Sequence, residues 1–344
     1  MKIIRAKAPL RLGLAGGGTD VSPYCDLYGG NVLNATIDLY AYCTIEPWEE
    51  NQVAFRALDK EVEESFQPAA EYDASDGLCL HKAVYNHIVQ HYNGGRPLPH
   101  RLNTFCDAPP GSGLGSSSTI VVSMIQAYAE WLRLPLGEYD IAFLAYRIER
   151  LELGQKGGRQ DQYAATFGGI NFIEFYEKER VIVNPLRVKD WILNEFEGSL
   201  LLYYTSISRE SFSIISEQVK NIERSEKDAL ESTHTLKKDA LRYKEALLKG
   251  DLRSIADILR DSWEAKKRLA TSITNPQVDA AFETALGAGA YAGKVSGAGG
   301  GGFIAFMTDP LRKPEVAKAL EPHNGRIIPF HFTHQGAQAW TGRL

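Results

Sequence analysis

Hydrophobic residues follow two different periods along the chain. Over roughly the first 110 residues the pattern is β-like. Residues 2–9 and 32–47 are rich in branched and aromatic side chains, the second stretch carrying Val32, Ile37, Leu39, Tyr40, Tyr42 and Ile45, as half-buried strands do. Residues 52–58 and 60–66 make a further pair around a turn at Asp59. Helical spacing first appears over 77–91, with Leu78, Ala83, Val84, Ile88 and Val89 as its apolar positions. A strand at 102–106 stops at Asp107-Ala108-Pro109-Pro110-Gly111. A long helix then runs from about Gly115 to Leu132, with Ile120, Val121, Met124, Ala127, Tyr128 and Trp131 on its buried face. A further helix is predicted over 138–153.

Past Gly168-Gly169, strands are predicted at 170–176, 181–185 and 200–205. From Arg209 to about Lys267 the chain becomes helical and charged, and the charged helices from Ser225 to Arg268 are most simply a solvated face. A helix at 276–286, strands at 294–296 and 303–307 around a glycine loop, a helix at 311–320 and a strand at 326–332 close the order. Strands first, then helices, then a strand–loop–strand give the fold class α+β. At about 150 residues per domain, 344 residues divide into two domains, with the boundary expected at 1–190 and 191–344.

Composition narrows the function mainly by exclusion. A net charge of −5 supplies no basic field for nucleic acid or an anionic membrane. No run approaches 18 apolar residues, and the N-terminal segment has no apolar signal core, so a cytoplasmic location is expected. Cys25, Cys43, Cys79 and Cys106 form no C-x-x-C pair and read as reduced, mostly buried thiols. There is no G-x-S-x-G elbow. His87 and His91 lack the glutamate of H-E-x-x-H, and His331 and His334 have no supporting ligands.

Glycine is more informative. The 31 glycines concentrate at 13–18, 111–115, 154–169 and 287–302, as though several loops converge on one site. Gly111, Gly113 and Gly115 lie between a strand and a helix, followed by Ser116, Ser117 and Ser118. Such a loop either turns backbone N–H groups and a helix N-terminus toward an anion or is a glycine-rich turn with serine caps. It has no Walker A lysine. The 297–302 loop matches G-x-G-x-x-G but leads into a β-like segment, so the dinucleotide fingerprint lacks its helix. So many glycines there imply a close approach of backbone to a ligand or a second loop.

Three segments, in this order, resemble the three motifs of the GHMP small-molecule kinases. They are Ala8-Pro9-Leu10-Arg11 with Gly16-Gly17-Gly18-Thr19-Asp20, then residues 109–118, then residues 294–303. Within the family, residues 11–20 and 157–162 are most similar to the heptose 7-phosphate kinases. The resemblance implies a ribosomal S5-like N-terminal domain, a ferredoxin-like C-terminal domain, and ATP with Mg²⁺ in the cleft between them. By similarity the ATP phosphates are wrapped by Pro110, Gly111, Ser112, Gly113, Leu114, Gly115, Ser116, Ser117 and Ser118, while Ser117 and Glu149 hold the metal. Asp161 would face the acceptor hydroxyl and Arg11 the transferring phosphoryl group. Substrate contacts are implied for Arg11, Gly17, Gly18, Thr19, Asp20, Arg159, Asp161, Gly299 and Gly300.

Galactokinases of the family carry Gly-Glu-His-Thr-Asp where this chain has residues 16–20. The substituted glycines leave room for a bulkier sugar that is already phosphorylated, and Lys156, Arg159 and Lys294 are candidates for its distal phosphate. The expected partners are therefore ATP and a small-molecule sugar phosphate, with no nucleic acid and no membrane, and a homodimer is left open. An L-fucose or galactose 1-kinase is the rival enzyme. A catalytically silent sugar sensor is the rival non-enzyme, disfavoured by the retained Asp161, Glu149 and Ser117.

Overall fold

A computed structural model describes residues 2–47, 51–207, 211–224 and 227–343. Two long strands, β1 (Lys2–Ala15) and β2 (Gly30–Pro47), flank the short α1 (Tyr24–Tyr28) and pair antiparallel. They form the spine of the first sheet. Next come β3 (Val53–Ala57), β4 (Val62–Phe66), α2 (Cys79–Tyr92), β5 (His100–Cys106), α3 (Ser116–Leu132), α4 (Glu138–Tyr146) and α5 (Gln160–Phe167). The chain continues through β6 (Ile170–Phe175), β7 (Val181–Pro185), α6 (Asp190–Gly198), β8 (Leu200–Tyr204), α7 (Ser211–Glu223), α8 (Lys227–Lys249), α9 (Leu252–Lys267) and α10 (Pro276–Gly287). It ends with β9 (Ala290–Val295), β10 (Phe303–Thr308), α11 (Lys313–Leu320), β11 (Arg326–Ile327) and β12 (Gln338–Arg343).

The first sheet has eight strands in the path β12-β1-β2-β5-β3-β4, with β6 on the first half of β2 and β7 beside β6. All its pairs are antiparallel except β3 with β5. The second sheet has four strands in the order β11-β8-β10-β9, all antiparallel. The architecture is α+β, as the order of elements implies. The expected cut at residue 190 falls between the two sheets, yet β12 returns to pair with β1, so residues 338–343 belong with the first. One apolar cluster also runs through both halves, joining Leu10, Leu12 and Leu33 to Ala240, Ile255, Leu202 and Met307. The halves share a core.

Several elements depart from the sequence expectations. The strand expected at 326–332 is limited to Arg326–Ile327, because after Ile328, whose N–H still donates to Leu202 of β8, the chain crosses to β2, where Phe332 bridges to Ile37. β12, with alternation weakened by Gly342, was not foreseen, nor were α1 and α6. The helix expected over 138–153 is α-helical only to Tyr146 and then widens into a π-helical segment, Arg147–Glu152. Arg209, where the charged helical stretch was expected to begin, lies outside the described residues.

Helix α3 carries the phosphate-loop candidate at its N-terminus, so its anchoring matters for the site. One anchor is a buried hydrogen-bonded chain to β5. His100 Nδ1 lies 2.6 Å from the Leu98 carbonyl oxygen and so carries the ring proton. His100 Nε2 then accepts from the Tyr128 hydroxyl at 2.7 Å. Burial keeps the imidazole neutral, lowering its pKa to about 4. Tyr128→Phe strands that ring nitrogen and should cost about 1–3 kcal/mol. Urea denaturation should show a lower midpoint with an unchanged slope; an unchanged midpoint would mean that the chain does not anchor α3.

Candidate functional site

A cleft of about 560 Å³ lies where the glycine loops meet. One wall is the loop from Cys106 to α3. Gly111, Gly113 and Gly115 adopt φ values of +70°, +82° and +78°, a region that side-chain-bearing residues rarely occupy. No side chain caps α3, so its first N–H groups and positive dipole end face the cleft. Pro110, Gly111, Gly113, Gly115, Ser116, Ser117 and Ser118 all line the cavity. Ser112 and Leu114 are fully buried beneath it.

The third glycine loop braces this wall. A Cβ on Gly297 would lie 2.8 Å from Gly113 Cα, and Phe303 N donates to the Ser112 carbonyl at 2.9 Å. This close approach of two backbones is what the glycine excess implied. Gly297 and Ala298 reach the cavity. Gly299 and Gly300, expected at the substrate, pack instead on the short turn at Thr271–Ile273, with Gly300 N donating to the Ile273 carbonyl at 2.7 Å.

Arg11 joins these walls. An irregularity in the β1–β2 register between Pro9 and Arg11 frees the Arg11 N–H to donate to the Leu114 carbonyl at 3.2 Å. The buried guanidinium donates to the Gly113 carbonyl, to Ser296 Oγ at 3.3 Å, and through Nε and one Nη to Asp161 Oδ1 at 2.8 and 2.7 Å. Both contacts to Asp161 fall on the same oxygen, leaving Oδ2 outside the pair. Asp161 sits in the first turn of α5 and borders the cavity.

Asp20 fixes the start of α5. Its Oδ2 accepts from the backbone N–H groups of Arg159 and Gln160 at 2.9 and 3.0 Å, and Oδ1 from Gly18 N at 3.2 Å. Gly158 must be glycine here, since a Cβ would collide with that carboxylate. Asp20 and Gly18 line the cleft. Thr19 does not: it is fully buried, donating to the Gly16 carbonyl and accepting from Asn31 N. Arg159 also turns away, pairing with Asp26 at 2.9 Å and stacking over Tyr146.

Glu149 is completely buried in the π-helical segment. Its Oε1 accepts from Ser117 Oγ at 3.4 Å, and its Oε2 from Gln162 Nε2 at 2.5 Å. Among the described residues no group of three His, Cys, Asp or Glu side chains could hold a metal alone. Ser117 lines the cleft and Glu149 lies beneath it, also 3.8 Å from Arg150; the two are hard oxygen donors, which suit an ion completing its shell with phosphates and water.

Three cations escaped the sequence reading. Lys60, between β3 and β4, lines the cleft and is exposed. Arg150 lines the cleft, donating to the Gly158 carbonyl and to Ser118 Oγ at 3.3 and 3.4 Å. Lys266 is only 2% exposed yet borders the cavity, donating to the Gly297 carbonyl. Its position was legible: the buried stripe of α9 runs Ile255, Ile258, Leu259, Ser262, Trp263, and Lys266 continues it at helical spacing. Burial first, then the Arg11 charge, lowers its pKa to about 8. Lys294 lies buried, its Nζ 3.4 Å from the Leu14 carbonyl, and is pushed down by burial and then by Lys266.

Comparisons with known proteins agree with this geometry. Residues 80–169 match the GHMP kinases N terminal domain, and residues 243–326 the GHMP kinases C terminal family. The chain is 48% identical over 341 residues, 99% of each chain, to D-glycero-alpha-D-manno-heptose 7-phosphate kinase of Campylobacter jejuni. The crystal structure of a D-glycero-D-manno-heptose 1-phosphate kinase from Bacteroides thetaiotaomicron is similar at 46% identity and a TM-score of 0.84, covering 98% of both chains. Lactococcus lactis galactokinase, at 17% identity and a TM-score of 0.76 over 98% of this chain and 95% of its own, shares the fold.

The buried amine makes stability depend on pH. The unfolded chain holds the Lys266 proton up to about pH 10.5 and the folded chain only to about 8, so folding gains stability as pH rises through that window. In urea titrations of ligand-free protein, wild type should therefore gain on Lys266→Met between about pH 8 and pH 10. A gap that stays constant with pH would contradict a depressed amine.

Proposed function

The chain belongs to the GHMP kinases and is an ATP-dependent phosphotransferase; on that premise we propose that it phosphorylates the anomeric hydroxyl of a heptose 7-phosphate, giving the 1,7-bisphosphate. The observation that carries the reading is the Arg11–Asp161 pair beside the phosphate wall. It sets a carboxylate for the acceptor and a cation for the phosphoryl group within one hydrogen bond of each other.

Phosphoryl transfer needs alignment and charge neutralisation more than covalent chemistry. The α3 N-terminus and the N–H groups of Gly111, Gly113 and Gly115 would cradle the phosphates. Arg11, held by Gly113 and Ser296, would stay in place as charge develops. Asp161 Oδ2 would accept the hydroxyl hydrogen bond and orient or take its proton. Ser117 and Glu149 would hold Mg²⁺, which when bound neutralises phosphate charge.

For the acceptor, the support is the sequence at residues 16–20 and the two relatives named for heptose phosphates. Gly18 lines the cavity beside Asp20 and Gln160. An ADP-release assay over a panel of sugars and sugar phosphates tests the proposal. Heptose 7-phosphate should exceed galactose in kcat/KM by about 30- to several-thousand-fold, the scale of losing a buried charge-assisted contact. Phosphorus NMR should show the new phosphate coupled to the anomeric proton. Faster turnover of free galactose or L-fucose would reject the heptose assignment and leave the kinase standing.

A further inference from the structure

We infer that Lys266 is the residue that holds the phosphate already present on the acceptor. The assignment rests on the phosphorylated-acceptor reading above, and it replaces the distal-phosphate candidates drawn from sequence. Arg159 is committed to Asp26, and Lys294 is sealed behind the wall. Lys156 lines the cleft but is exposed to solvent.

The case begins with charge. Lys266 Nζ has a neutral carbonyl, that of Gly297, as its hydrogen-bond partner. The charged groups facing it are Arg11 on β1, Asp20 in the loop after β1, and Lys294 on β9, which in turn faces Asp239 on α8. Asp20 is already engaged by the N–H groups of Gly18, Arg159 and Gln160, and Arg11 is taken by Asp161. An ammonium this deep, with no carboxylate among the described residues paired to it, carries a desolvation cost that an entering anion offsets.

The amine itself borders the cavity. Gly17 lies against it, since a Cβ there would stand 3.7 Å from Lys266 Nζ and 3.9 Å from Gln160 Nε2. Gln160 and Gln218 flank the same space, and Gln160 Oε1 is buried without a hydrogen-bond partner. Lys266 thus reaches the cleft on the Gly17–Gln160–Gln218 side. The α3 N-terminus opens beside Asp161, which lies 3.0 Å from a Cβ built on Gly115. On this assignment Arg11 would serve the reacting end of the acceptor and Lys266 its phosphorylated end.

Steady-state kinetics of wild type and Lys266→Met with heptose 7-phosphate and with unphosphorylated heptose test this. Wild type should prefer the phosphorylated sugar, and the variant should lose about 30-fold or more of that preference, through KM, with unphosphorylated heptose affected only a few-fold. A variant that keeps the preference overturns the assignment of Lys266 alone. An equal fall in kcat for both sugars also overturns it, placing the amine on the phosphoryl group in transit. A wild type without any preference overturns the phosphorylated-acceptor reading itself.

A second measurement needs no variant. Calorimetry of wild type at pH 8.5 in buffers of different ionisation enthalpy should show uptake of a fraction of a proton on binding heptose 7-phosphate, as an anion restores the charge on the amine. Unphosphorylated heptose should take up none. Equal uptake for the two sugars, or none for either, would overturn the proposal.

Discussion

The buried guanidinium of Arg11 is the interaction on which the site depends. A planar, permanently charged group with donors on several edges can hold several acceptors at fixed angles, which an ammonium cannot do. Here it ties the first strand to the phosphate loop through Gly113, to the end of β9 through Ser296, and to α5 through Asp161. These elements come from positions 11, 113, 161 and 296 of the chain. The glycines of the second and third loops follow from this knot, because the backbones it draws together pass too close for a Cβ.

A second set of contacts fixes the start of α5 and the wall beside it. Asp20 holds the first N–H groups of α5 and so sets the height of Asp161, two residues into the same helix start. Glu149 is carried inward by the π-helical turn, where a wider helical repeat shifts one residue out of the α register. Gln162 then bridges Glu149 and Ser118, linking α5, the π turn and α3 at 2.5 and 3.1 Å. The chemistry proposed for the cleft needs little motion of these groups, since each is already braced by a neighbour.

Much of this was legible in the sequence because it is local. The loop before α3 announces itself as alternating glycines before a serine-led helix, and Arg11, Asp20 and Asp161 stand in or beside glycine-marked segments. Parts that depend on distant partners were harder to read. Thr19 and Arg159 sit beside cleft residues in sequence, but successive side chains point to different faces, and theirs point inward to Gly16 and to Asp26. Gly299 and Gly300 bend toward Ile273, a contact that no local pattern encodes. β12 pairs with a strand more than 300 residues away in sequence, and its own alternation is interrupted by Gly342. Lys266 was misread with the solvated face of the charged helices, although its place on the apolar stripe of α9 marked it as buried.

The central claim is that Arg11 and Asp161 act as one unit in phosphoryl transfer. A double-mutant cycle on turnover addresses it most directly, using Arg11→Lys, which keeps the charge but loses the fork, and Asp161→Asn, which keeps the shape but loses the carboxylate. Each single variant should lower kcat by about 10²-fold or more while ATP binding is retained. The double variant should be within a few-fold of the slower single one, because either change already breaks the shared arrangement. Losses that multiply in the double variant would show two independent residues and contradict the account.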